Sequence, residues 1–375
     1  DYYASRGLGD VYKRQMWNIE KIRQGLKSNW NYIDGVMIKA VLQMYDVTKD
    51  EKYLKFADNF IDYRVHEDGT IDGYSIGEKN IDNVNAGKTL FELYDLTGKE
   101  KYRKAIDLVY SQIEIMPRCN NEARSFWHKE IYPNQVWLDG LYMGLPFYLE
   151  YETRYNDRKN YSDIFGQFKF VIENMRNPIN GLYFHAMDTS REAFWCDKVT
   201  GLSQHCWLRA SGWYAMALLD TLDKVDNSDH KYDAECKMLE DAFVELMDSM
   251  LKYQDESGMW YQVVNYGGME KNYLETSGSS IMAYAILKGV RLGYLPENYR
   301  EYAEKAINGI CDKYLNTKDG EMSLGGICLV AGLGGKGNRP GTYDYYMSEP
   351  IVEDDAKGVG PFLLAYTEML AYKNR

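Results

Sequence analysis

Thr48-Lys-Asp-Glu-Lys-Tyr-Leu-Lys-Phe-Ala57 and Thr97-Gly-Lys-Glu-Lys-Tyr-Arg-Lys-Ala-Ile106 are two copies of one segment, offset by 49 residues. Each copy follows the end of an apolar helical stretch, Met44-Tyr-Asp-Val-Thr48 in the first and Leu93-Tyr-Asp-Leu-Thr97 in the second. The unit is therefore a helix, a short polar turn and a second helix, and its recurrence is the signature of a repeat architecture. Outward from it, apolar residues recur at three- and four-residue spacing over 32–46, 52–63, 83–96, 100–113, 137–152, 158–174, 207–224, 233–252, 275–291, 298–314 and 356–372. That period predicts about eleven helices. A second recurrent element is a turn before an apolar or aromatic residue: Glu67-Asp-Gly-Thr70, Ile179-Asn-Gly-Leu-Tyr183, Glu256-Ser-Gly-Met-Trp260 and Lys318-Asp-Gly-Glu-Met322. Glycine supplies the positive φ such turns need, and the flanking residues suit short strands. The expected fold is all-α, an (α/α)6 barrel of six helical hairpins with short strands and loops at one rim. The alternative is an open superhelix of stacked hairpins.

The chain has 375 residues, more than one simple core of about 250–300 residues accommodates. No Pro/Ser-rich linker divides it, so residues 16–375 are expected to form one barrel domain. Residues 1–15 have neither helical period nor the apolar core of a signal peptide and are expected to be a non-native or disordered leader. The formal charge of −12 and the lack of a basic stripe argue against a nucleic-acid partner. No apolar run approaches the ~20 residues that cross a bilayer, so no membrane span is expected. Six scattered cysteines without a C-x-x-C spacing suggest reduced thiols and a cytoplasmic home. The state of assembly is expected to be a monomer or a weak homo-oligomer. Tyrosine is abundant, with 34 copies beside 8 tryptophans. Such rings suit sugar faces and helix contacts alike.

The five histidines show no H-E-x-x-H spacing, and neither a metal nor another cofactor is expected. In Trp137-Leu-Asp-Gly-Leu-Tyr-Met-Gly-Leu-Pro-Phe-Tyr-Leu149 the one charge is Asp139. Helical spacing puts Asp139, Tyr142, Met143 and Pro146 on one face and Leu138, Leu141, Leu145 and Leu149 on another. Asp139 then looks into a funnel, or it is a core hydrogen-bonding or capping aspartate. Gly140 and Gly144 would let a neighbouring helix come close. Asp82 is expected to cap a helix start, which is compatible with a place at the funnel mouth. Ser125-Phe-Trp-His-Lys-Glu130 sets two potentially cationic groups, His128 and Lys129, beside aromatics, and His185 follows a turn. Arg209 and Trp213 share a helical face, with Trp207 close by, which suits an anion on a flat apolar body. The glycine run Leu329-Val-Ala-Gly-Leu-Gly-Gly-Lys-Gly-Asn338 lacks a phosphate loop's ending and is expected to be a mobile loop.

Five segments together resemble glycoside hydrolase family 105, the unsaturated rhamnogalacturonyl hydrolases, with family 88 more distant. They are 137–147, Gly181-Leu-Tyr-Phe-His-Ala186, Trp207-Leu-Arg-Ala-Ser-Gly-Trp213 with its continuation to Asp220, Tyr273-Leu-Glu-Thr-Ser-Gly-Ser279, and the pair 323–334 and 348–362. The family pattern has R-G-N-G-W where this chain has Arg209-Ala-Ser-Gly-Trp213. The resemblance implies a six-hairpin barrel with a central site. It further implies an enzyme that hydrates the C4=C5 double bond of an unsaturated uronic acid at the end of a lyase-derived pectin disaccharide. It makes Asp139 the general acid/base and Asp82 its partner carboxylate. It places His185, Arg209, Trp207, Trp213, His128, Lys129, Met143 and, more loosely, Tyr32 around the substrate. A carboxyl on an apolar wall near a second carboxylate is expected to have its pKa raised. An unsaturated glucuronyl hydrolase, a polysaccharide lyase and a non-catalytic sugar-binding barrel remain as alternatives.

Overall fold

The repeated segment is the turn of a helical hairpin. Lys49 (φ 55°) and Gly98 (φ 66°) occupy equivalent places in the two copies, and each ends its first helix in the left-handed conformation. The computed structural model describes residues 16–373; residues 1–15, expected as a leader, lie outside them. The helices are α1 (Asn18–Arg23), α2 (Tyr32–Thr48), α3 (Glu51–Asp62), α4 (Lys88–Thr97), α5 (Glu100–Ile115), α6 (Leu138–Tyr155), α7 (Tyr161–Asn174), α8 (Leu208–Lys224), α9 (Asp233–Leu251), α10 (Thr276–Arg291), α11 (Arg300–Tyr314), α12 (Tyr343–Ser348) and α13 (Ala356–Lys373). A 3-10 turn over Ile81–Gly87 runs straight into α4. All eleven windows of helical period hold a helix; the six-residue α1 and α12 fall outside them.

Packing closes the helices into a ring. Helix α2 touches the Ile81–Gly87 turn, the turn touches α6, α6 packs on α8, α8 on α10, α10 on α13, and α13 returns to α2. Helices α3, α5, α7, α9 and α11 each pack outside the inner helix that precedes them. The two layers differ in sequence accordingly. Inner α8 is buried continuously from Leu208 to Leu222 and α10 from Thr276 to Gly289, whereas outer α3 buries only Ala57 and Ile61. A fully buried Leu, Ile or Met stabilises by about 1.5–3 kcal/mol, so the inner ring is where the fold's free energy is concentrated.

The connections are lopsided. The chain passes from inner to outer helix over 49–50, 98–99, 156–160, 225–232 and 292–299, and from outer to inner over 63–80, 116–137, 175–207, 252–275 and 315–355. The second set lies at the N-terminal ends of the inner helices and builds one rim. It holds three antiparallel pairs: β1 (Gln135–Trp137) with β2 (Ala186–Asp188), β3 (Leu315–Lys318) with β4 (Glu321–Leu324), and β5 (Ile327–Cys328) with β6 (Ile351–Val352). The expected turns are here, with Gly69, Gly181, Gly258 and Gly320 all at positive φ. At Gly181 (φ 75°) a Cβ would stand 2.2 Å from Ser249 Oγ on α9, so the turn is pressed against an outer helix.

The far end of the ring encloses a cavity of about 450 Å³ between the C-terminal halves of the inner helices. Lys39 and Lys288 both pair with Asp220, Lys288 also reaches Asp223 at 2.9 Å, and Lys88 donates to the Tyr142 carbonyl at 2.9 Å. Tyr142 stacks on Trp213 at 4.9 Å in mid-barrel. The six cysteines are unpaired thiols, four of them buried. Among the described residues no helix is long and apolar enough to cross a membrane, and no cluster of His, Cys, Asp and Glu has the makings of a metal site.

Candidate active site

Four helix starts meet at the rim end of the axis. Tyr32 opens α2 behind its cap, Asn31, whose side chain accepts from Ile33 N at 2.9 Å. Asp82 is the second residue of the 3-10 turn, Asp139 the second of α6 and Arg209 the second of α8. All four line one cavity of about 60 Å³. Where a single water needs about 10–15 Å³, this is room for a few waters. Met143 lies one turn below Asp139 and lines the same cavity, while Pro146, a further turn along, lines the far one. The face predicted for α6 thus runs down the barrel axis. Helix N-termini carry partial positive charge, so their convergence favours an anion.

His128 and Lys129 arrive on the loop between α5 and β1. An isolated bridge joins Asn80 to Lys129, Ile81 N donates to the His128 carbonyl at 3.2 Å, and His128 N donates to the Gln135 carbonyl at 2.9 Å. These bonds fix the loop beside the 3-10 turn. Lys129 Nζ contacts Asp82 at 2.6 Å, and His128 Nε2 lies 3.5 Å from the same carboxylate. The His128 ring stacks on Trp137 at 4.6 Å with 4° between planes. Asp82 is not the cap expected from the sequence: Asn80 caps the turn, accepting from Asp82 N at 3.2 Å, and leaves the Asp82 carboxylate to Lys129. Nor is His128 cationic near neutrality. Burial pushes its pKa down to about 4, against the pull of Asp82. Gly144 admits Ile81 of the 3-10 turn, as expected of a neighbouring helical element, and Gly140 admits the His128 ring; they stand 2.6 Å and 2.9 Å from where a Cβ would be.

Asp139 has one close titratable partner. His185 Nε2 stands 3.3 Å from Asp139 Oδ2, poorly aligned for a hydrogen bond. His185 does not line the cavity; it is fully buried behind Asp139, and its carbonyl accepts from Leu138 N at 3.1 Å. Desolvation pushes the Asp139 carboxyl up, but contact with His185 and the electrostatic interaction with the His185 and His128 imidazoles outweigh it, and the pKa lies below the ordinary carboxylate value. The raised pKa expected from an apolar wall is therefore corrected: the wall contains imidazoles, and they favour the Asp139 carboxylate.

Arg209 is buried, with its guanidinium 4.6 Å above the Trp207 ring. It donates to Ser277 Oγ at 3.0 Å and to the Cys328 carbonyl at 2.6 Å, both neutral acceptors, and so brings a positive charge to the cavity wall. Trp207 precedes α8 and donates to Gln262 Oε1 at 3.1 Å; Trp213 lies one turn beyond Arg209. Both tryptophans line the cavity. Where the family pattern departs, Ala210 is buried in the core and Ser211 Oγ donates to its own helix, to the Trp207 carbonyl at 3.2 Å.

Local reading missed one wall. The glycine run expected as a mobile loop is packed: Leu329 and Leu333 are fully buried, and Val330, Ala331 and Gly332 line the cavity. Arg339 closes this stretch, donating to the Gly334 carbonyl at 3.1 Å and to Tyr132 Oη at 2.9 Å. Both Arg339 and Tyr132 line the cavity, and the signal for them was only a lone cation after glycines and a lone tyrosine in a loop.

The profile of Glycosyl Hydrolase Family 88 matches residues 9–373. The chain belongs to the family 88/105 glycoside hydrolases. A glycoside hydrolase from family 105 of C. acetobutylicum ATCC 824 superposes with a TM-score of 0.87 at 45% identity, over 95% of this chain and 97% of that one. Protein Atu3128 of Agrobacterium fabrum is 40% identical over 61% of this chain and 98% of its own length. The unsaturated rhamnogalacturonyl hydrolase YesR of Bacillus subtilis is 25% identical over 92% of this chain and 91% of its own length. The (α/α)6 barrel and the glycoside hydrolase class are thus established for this member of the family.

Proposed function

We propose that this glycoside hydrolase removes a Δ4,5-unsaturated uronic acid, an unsaturated galacturonyl residue, from rhamnogalacturonan disaccharides left by a polysaccharide lyase. The observation that carries this reading is the contrast between the two cavity carboxylates. Asp82 is paired with the Lys129 ammonium at 2.6 Å, whereas the charged-pair partner of Asp139 is an imidazole, His185, at 3.3 Å, which leaves Asp139 the carboxylate able to exchange a proton. Two carboxylates in unlike surroundings take different roles.

In the reaction Asp139 delivers its proton to C4, drawing on the C4=C5 electron pair, and positive charge develops at C5 and the ring oxygen. Water adds at C5, and its proton returns to Asp139. The C5 hemiketal opens to a ketone as the bond from C5 to the ring oxygen breaks. The hemiacetal left at C1 then collapses to an aldehyde and releases the neighbouring sugar. Asp139 acquires its proton on substrate binding, because the incoming uronate adds negative charge and expels water, and both effects raise a carboxyl pKa. Arg209 and the helix N-termini offset the uronate charge, Trp207, Trp213 and Met143 supply apolar surface for the ring, and Lys129 holds the Asp82 carboxylate in place to accept hydrogen bonds from substrate hydroxyls. His128 and Tyr32 complete the wall. The similarity to YesR supports the rhamnogalacturonan assignment. The unpaired thiols support a reducing, cytoplasmic setting.

The test follows the ultraviolet absorbance of the conjugated enol-ether carboxylate. Absorbance is lost when the enzyme meets an unsaturated galacturonyl-rhamnose disaccharide. Faster loss on glucuronyl disaccharides overturns the substrate assignment. A rise on intact polymer makes the protein a lyase, and no change on any substrate leaves a sugar-binding barrel.

A further inference from the structure

Tyr346 lies on α12, a six-residue helix capped by Thr342, and is fully buried. Its hydroxyl is 2.7 Å from Nδ1 of His185, on the opposite side of the imidazole from Asp139. The ring of His185 is clasped by Trp207 at 4.8 Å and Trp137 at 5.3 Å, so the imidazole cannot swing away from either contact.

From this chain of contacts we infer that Tyr346 is a positioning residue that sets the tautomer of His185 and thereby decides which oxygen of Asp139 carries the exchangeable proton. The phenol is buried and keeps its proton, and His185 Nδ1 is the acceptor it meets. If the phenol accepted instead, its own O–H would be left buried without a partner, at the full desolvation cost. Tyr346 therefore donates, Nδ1 accepts, and the imidazole proton resides on Nε2, facing Asp139 Oδ2. That oxygen is buried, so the 15% exposure of the Asp139 side chain falls on the rest of the group. Oδ2 is reserved for His185, and Oδ1 is the oxygen that meets the substrate. The other charged or titratable groups around this chain are Asp82, His128, Lys129, Arg209, Tyr32 and Tyr132 beside Asp139, and His205, Tyr345, Cys206, Cys328 and Arg339 beside Tyr346; the His205 ring meets Tyr346 edge-on at 6.0 Å and makes no hydrogen bond to its hydroxyl. His128 is neutral above about pH 4 and Lys129 is paired with Asp82, so neither sets the tautomer.

The inference rests on the proposed role of Asp139 but is read separately from it. Long-range proton–nitrogen NMR on protein labelled at histidine is expected to show His185 with Nδ1 bare and Nε2 protonated. In Tyr346→Phe the lock is gone, and the His185 signals move toward a mixture of tautomers. The pH limb along which activity is lost as Asp139 gives up its proton then moves upward by roughly half to one unit. A purely structural tyrosine would lower activity evenly across pH. A wild-type His185 protonated at Nδ1 overturns the inference whether or not the variant folds, as does a Tyr346→Phe protein with unchanged tautomer and unchanged limb. If the NMR result holds while no unsaturated substrate is consumed, the proposed function fails and the tautomer assignment stands.

Discussion

Lys129→Met is the most informative perturbation of the site. The Lys129–Asp82 contact of 2.6 Å has a gross attraction of about 6 kcal/mol at an effective dielectric constant of about 20. Desolvation cancels much of it, but removing one partner strands a carboxylate that is 6% exposed, and such losses cost about 3–5 kcal/mol. With the Lys129 side chain still 17% exposed, the lower end of that range, about 3 kcal/mol, is expected in a urea titration. The stranded Asp82 then turns to His128 at 3.5 Å. The His128 pKa of about 4 is set first by burial, opposed by Asp82, with Lys129 pushing the same way as burial. Without the ammonium it rises by roughly one to two units toward the free value of ~6.5. The sign has a consequence for stability. In the wild type the folded pKa is depressed, so between about pH 6.5 and 4 the unfolded chain binds a proton that the folded one refuses, and stability falls on acidification by up to ~3 kcal/mol. In Lys129→Met this acid sensitivity shrinks. The assay is the pH dependence of the His128 ring-proton shift, with the Lys129→Met/Asp82→Asn cycle alongside it. A His128 titration unchanged in Lys129→Met, or effects of the two substitutions that simply add, would refute the coupling.

Three other outcomes are expected. Asp139→Asn keeps the fold, because an amide oxygen still faces His185, but lowers kcat by about 10²–10⁴; full activity in the absorbance assay would remove Asp139 from the reaction. Gly181→Ala forces an alanine to φ 75° with its Cβ 2.2 Å from Ser249 Oγ, and a loss of about 2 kcal/mol in urea is expected; no loss would mean that the turn is not held against α9. Asp34, buried beside Asn18, is pushed up to about 7 by desolvation. Its folded pKa lies above its unfolded one, so the wild type loses stability as pH rises from ~4 to above 7, on the order of 4 kcal/mol in all. Asp34→Asn removes that slope, and parallel stability curves for the two proteins would contradict it.

The helices are legible in the sequence because each buried face repeats within a few residues, and the rim turns because Gly69, Gly181, Gly258 and Gly320 mark positive φ locally. Asp139, Met143, Arg209 and Trp213 are legible for the same reason: helical spacing alone puts each pair on one face. What spacing cannot carry is the partner across the barrel. Asp82 reads as a cap until Asn80 is seen to cap and Lys129 to pair with it, 47 residues away in sequence. The depressed pKa of Asp139 depends on His185 and His128, which reach it from different loops. The 329–339 stretch looks unstructured because its order comes from Tyr132 and Tyr345, whose hydroxyls bond Arg339 and Gly332. Tyr346 lies on a helix of one and a half turns, too short to show a period.

All six inner helices point the same way, so the barrel has a head and a tail in the electrical sense. The tail collects carbonyl ends, which repel sugar acids although its chamber is several times the roomier of the two. Lys39 and Lys288 are resident counter-ions to Asp220 there, and Lys88 donates to the Tyr142 carbonyl with burial opposing its charge, so all three are already committed. The Tyr142–Trp213 pair forms a septum between the two ends. An enzyme built this way has a single productive mouth, and any attempt to engineer a second uronate site should leave the tail alone and widen the head.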